Sequence, residues 1–123
     1  MKNLAGLIGL LLILCVVSCK KSKTLDGNEV LTVCGVNNPL KNIGWLKTEY
    51  EKIASQPKTN GIILYSYNNK EVLEIQNTQF SSTNQHQYYC DGTKLDLNAP
   101  SDFNKFKQER KLIGILYGTD IWD

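Results

Sequence analysis

The sequence predicts an α+β domain: one N-terminal amphipathic helix packed on an antiparallel sheet of four to five strands. Three observations carry this. A helix start at Asn38-Pro39 precedes apolar residues at helical spacing, two strand-like runs flank Asn68-Asn69, and an apolar run, Lys111 to Tyr117, comes near the end.

The helix is the first element. Asn suits the N-cap, and Pro suits the first helical position, where a missing N–H costs nothing. Leu40, Ile43, Leu46, Tyr50, Ile53 and Ala54 then share one side. Ser55 and Pro57 end the segment, so the helix spans 39–54, weakened at Gly44. Trp45 departs from the stripe. At about 100° per residue it projects among Lys41, Glu49 and Lys52. Either another segment covers it or it is exposed for a partner.

A β-hairpin follows. Two Asn residues tolerate the positive φ of a type I′ turn. With Asn68-Asn69 as the loop, Tyr67 faces Lys70, Leu64 faces Leu73 and Ile62 faces Ile75. Those four aliphatic residues form a core face. The opposite face carries Ile63, Tyr65, Tyr67, Val72, Glu74 and Lys70, the mixture expected of a solvated or partner-binding face. Tyr65 and Tyr67 are either packing residues or a contact patch.

A polar loop from Asn77 to Gln87 leads to a shorter hairpin, Tyr88 to Leu95, turned at Asp91-Gly92. Asn98 to Asp102 reads as a loop, Phe103 and Phe106 as anchors of a short helical turn, and Lys111 to Tyr117 as a buried strand.

The N-terminus carries an address. Lys2 precedes an apolar run from Leu4 to Val17, shorter than the ~20 residues of a spanning helix and suited to a signal-peptide core. It ends in Val16-Val17-Ser18-Cys19, which resembles the lipobox of bacterial lipoproteins. The resemblance implies a signal peptide over 1–18, cleavage before Cys19, and lipid on the Cys19 sulfur. A plain membrane anchor with an incidental cysteine is the alternative. Residues 19–33 read as a lipidated start and a polar tether, and 34–123 as one domain. Lys20 follows the cysteine where that class commonly carries Asp for inner-membrane retention, so the implied address is the outer membrane, facing the periplasm.

Charge excludes one class of partner. Of fourteen Lys and Arg, Lys2, Lys20, Lys21 and Lys23 precede Leu25, leaving ten from Leu25 onward against twelve Asp and Glu, about −2. No basic field exists for nucleic acid. Cys15 departs with the leader, which leaves Cys34 and Cys90. In an oxidising compartment such a pair is normally a disulfide. A metal site of Cys34, Cys90 and His86 is the alternative.

Cys34-Gly-Val-Asn-Asn-Pro-Leu with Trp45-Leu-Lys47, the Tyr65-Ser-Tyr-Asn-Asn-Lys70 hairpin and Tyr89-Cys-Asp-Gly92 resemble a group of small uncharacterised envelope lipoproteins. The resemblance spans about residues 34–118. It implies the fold and the address, and brings no catalytic residues. Further cysteines that such proteins carry after this point are absent here. Tyr88-Tyr-Cys-Asp-Gly-Thr is also similar to a strand of small β-barrel lipoproteins that inhibit lysozyme, although that family opens on this strand and has no helix before it.

No constellation for catalysis stands out. The one histidine lies in a polar loop, and Asp91 to Asp96 lacks the spacing and terminal Glu of a calcium loop. The expectation is a non-enzymatic binding or scaffold lipoprotein without cofactor. Its membrane contact is lipid on Cys19, its partner an envelope protein or glycan, and its candidate surface Trp45, Tyr65 and Tyr67. The alternative is an inhibitor of a periplasmic or foreign hydrolase such as lysozyme.

Overall fold

A computed structural model describes residues 32–123. The leader, Cys19 and the tether as far as residue 31 lie outside the described residues. The folded part begins earlier than the expected boundary at Cys34. Thr32–Val33 (β1) pairs with Val36–Asn37 (β2), and Val33 is fully buried.

Next come two helical pieces, Pro39–Asn42 (α1) and Gly44–Ile53 (α2), where one continuous helix was expected. Pro39 does occupy the first helical position after Asn38, but Asn38 is left-handed and makes no side-chain cap. The break falls at Ile43, whose backbone is extended. This swing buries Ile43 beside Leu46 and Ile53 while Ala54, at the frayed end, is exposed.

Asn60–Tyr67 (β3) and Lys70–Asn77 (β4) form the hairpin with the expected register, Tyr67 to Lys70, Leu64 to Leu73 and Ile62 to Ile75. Asn68 and Asn69 both have positive φ, as the turn demands. Gln87–Tyr89 (β5) pairs with β4, and its return leg is reduced to a single bridge from Tyr88 to Lys94. Pro100–Glu109 (α3) follows, and Lys111–Gly118 (β6) closes the sheet in the order β5-β4-β3-β6, antiparallel throughout. β6 is interrupted by two bulges against β3, and its first half, Lys111 to Ile113, is exposed, not buried as expected.

The main departure from the expectation is α3. It has three turns where a short turn was expected, and Pro100 again sits at its start. Phe106, fully buried, carries it onto the sheet face opposite α2. The sheet is therefore covered on both sides. One core joins Val33, Ile43, Leu46 and Ile53 to Ile62, Leu64, Leu73 and Ile75. The other joins Ile63, Tyr65 and Val72 to Leu95, Leu97, Phe106 and Ile115. Among the described residues no helix is long and apolar enough to cross a membrane.

Candidate functional site

The three residues expected to form a partner surface are divided between the two sides of the sheet. Tyr65 is 1% exposed, set edge-on against Phe106 with centroids 6.0 Å apart. Tyr67, half-buried, packs on the same ring at 5.1 Å. Both lie on the face that the hairpin register gives them, but α3 covers that face, so Tyr65 is a core residue. Trp45 belongs to the other core. Its indole N–H donates to the Cys90 carbonyl at 2.9 Å, its ring lies 5.3 Å from that of Tyr88, and it closes over Gly92. Gly92 has φ +86°, and a side chain there would press on the indole.

The Trp45 corner contains the disulfide. Cys34 and Cys90 are bonded, with Cα atoms 5.6 Å apart. The bond ties the β1–β2 turn to the turn after β5. Glu71 lies beside it: one carboxylate oxygen accepts the Cys34 amide at 2.6 Å and stands 3.8 Å from the Cys90 sulfur. His86 is not part of this group.

A buried polar network, not anticipated from sequence, runs under the C-terminal tail. Glu74 is 1% exposed. Its carboxylate accepts hydrogen bonds from Gln76 at 2.7 Å, Gln87 at 2.8 Å and Arg110 at 3.2 Å. Burial pushes its pKa above the ordinary value, and those three donors oppose the rise. Gln76 also clamps the tail, donating to Asp120 at 2.7 Å and accepting the Ile121 amide at 2.6 Å. Arg110 reaches Asp123 at 2.7 Å and sits over the Tyr65 ring, its guanidinium carbon 4.4 Å from the centroid. Burial raises the Asp120 pKa as well, with the Asp123 charge adding to it. The Tyr65 hydroxyl is buried without a hydrogen-bond partner among the described residues. Burial, then the Glu74 charge, drives its pKa far up.

The tail also completes the most exposed aromatic feature. Phe80 stacks on His86 with centroids 3.8 Å apart and planes 8° from parallel. Trp122 stands 5.9 Å from His86 and 6.3 Å from Phe80. Phe80 is 36% exposed. Burial and Lys94 hold the His86 pKa below its ordinary value, which favours the neutral ring. Asn84 and Gln85, half-exposed in the same loop, are fixed by the Leu97 carbonyl and the Asn98 side chain. These rings are not legible in the sequence, because Trp122 is remote from the loop that carries Phe80 and His86 and no period joins the three.

No family model, curated protein or solved structure matches this chain.

Proposed function

We propose that this chain is a non-enzymatic binding module of the cell envelope, held to a membrane by lipid on Cys19, that recognises a glycan through Phe80, His86 and Trp122. The observation that carries the binding role is the three-ring cluster, in which Phe80 is exposed and His86 and Trp122 are half-buried. Flat rings offer a large rigid contact area at little entropic cost. A sugar ring presents C–H groups to an aromatic face and hydroxyls at its edge. With the neutral form of His86 favoured, the cluster suits such a ligand better than a charged one.

The address draws on the resemblance of Val16 to Cys19 to a lipobox and of the domain's motifs to those of small envelope lipoproteins. On this reading the domain sits at the outer membrane, facing the periplasm. A surplus of acids argues against nucleic acid as a partner. The hydrolase-inhibitor reading draws on the same loop, since Phe80 is the exposed apolar side chain such a protein would insert.

Co-sedimentation with insoluble cell-wall glycan tests the proposal. Wild-type protein should pellet with the polymer, and a folded Phe80→Ser/Trp122→Ser variant should stay in the supernatant. Equal pelleting of both, or of neither, refutes glycan recognition by these rings. Cluster-dependent capture of a hydrolase from solution replaces it with the inhibitor reading.

A further inference from the structure

We propose that the Cys34–Cys90 corner, when reduced, is a zinc(II) site of two thiolates and the Glu71 carboxylate. The ligand atoms of Cys34, Glu71 and Cys90 lie within 4.8 Å of one another, the two sulfurs being bonded to each other, so that on reduction they must part to reach a common ion. Ligands at ordinary zinc distances in a tetrahedral site stand about 3.5–3.8 Å apart. The Glu71 oxygen and Cys90 sulfur, 3.8 Å apart, already have that spacing. The Cys34 amide holds the same oxygen at 2.6 Å, which orients the carboxylate as outer-shell partners orient metal ligands. A groove lined by Lys70, Glu71, Tyr89, Cys90 and Asp91 opens the corner to solvent, giving a path for reductant and ion. Two thiolates and one carboxylate, with water in the fourth position, suit borderline-soft zinc better than calcium or magnesium, which take all-oxygen sets.

The chemistry balances with a dithiol as reductant. It gives two electrons and two protons to the sulfur–sulfur bond and leaves as its own cyclic disulfide. Both cysteines are then thiols. Zinc binding forms two Zn–S bonds and releases the two thiol protons to water. The ion joins the same two turns that the disulfide joins, and it shields the sulfurs from reoxidation.

The test is a cobalt(II) titration of the purified protein, reduced with a phosphine that is then removed under inert gas. Reduced wild type should bind one equivalent, with sulfur-to-metal charge-transfer absorption and the visible bands of a tetrahedral site, and zinc should displace it. Glu71→Gln should bind at least about tenfold more weakly, and Cys90→Ser should weaken the charge-transfer band, which then comes from Cys34 alone. Circular dichroism accompanies each step. A chain that unfolds on reduction and refolds with cobalt supports the site. One that stays unfolded with cobalt overturns it. Absence of charge-transfer absorption in reduced wild type also overturns it, as does equal affinity in Glu71→Gln.

Discussion

Replacing Tyr65 with Phe should stabilise this protein. The ring is fully enclosed, held edge-on to Phe106 and beneath the Arg110 guanidinium, and Phe keeps all of those contacts. What disappears is a hydroxyl with no partner among the described residues, beside the buried Glu74. An unsatisfied buried polar group costs about 1–3 kcal/mol. The oxygen-sized void left behind costs only about 0.3 kcal/mol at ~24 cal/mol per Å³. The net gain is about 1–2 kcal/mol, or roughly 4–8 °C in Tm for each kcal/mol in a domain of this size. Tyr65→Ala removes the same hydroxyl but also the ring, and should cost about 3–5 kcal/mol. Urea unfolding measures both, with the midpoint moving in opposite directions and m unchanged in the Phe variant. A Phe variant destabilised by about 1 kcal/mol or more would refute the reasoning, because it would show that the hydroxyl is satisfied.

Three further outcomes are expected. Thiol labelling of the denatured, unreduced protein should find neither Cys34 nor Cys90. Paired replacement by Ala should cost about 4 kcal/mol, the chain-entropy value for a separation of 56 residues; a loss under about 1 kcal/mol would count against that account. Folding raises the Glu74 pKa above its ordinary 4.5, so its contribution to stability is full below that value and is lost as pH rises through the raised one. Wild type should therefore gain on Glu74→Gln as pH falls from neutral toward 4.5, and a pH-independent difference in unfolding free energy would contradict this. Mass spectrometry of protein from membranes should find acylated Cys19 at the N-terminus, and Cys19→Ala should abolish both lipid and cleavage there; a mature chain starting elsewhere without lipid would remove the anchor.

What was legible in the sequence was local. The Asn68-Asn69 turn fixes its hairpin, because strand period two and a two-residue loop leave one register that gathers Ile62, Leu64, Leu73 and Ile75 on one face. The second face was misread because its cover, α3, is mostly polar, and its one buried residue, Phe106, sets up no period. Glu74 looks like a surface charge among Val72, Lys70 and Glu71. Its burial depends on Arg110 and Gln87, which only the folded chain brings near. The same holds for Trp122, distant in sequence from Phe80 and His86.

The disulfide has a mechanical consequence. A pull on the N-terminal side enters the described domain at Thr32 and meets Cys34 almost at once. From there the covalent route crosses to Cys90, and the stretch from β2 through β4, with both helical pieces and the long hairpin, is left out of the load path. Cys90 immediately follows β5, at whose other end stands His86. Tension between a membrane anchor and a ligand gripped by the aromatic cluster would thus run along a short, covalently closed line. The hairpin and α2 would act as a spectator frame, keeping their shape while the tethered end is stretched.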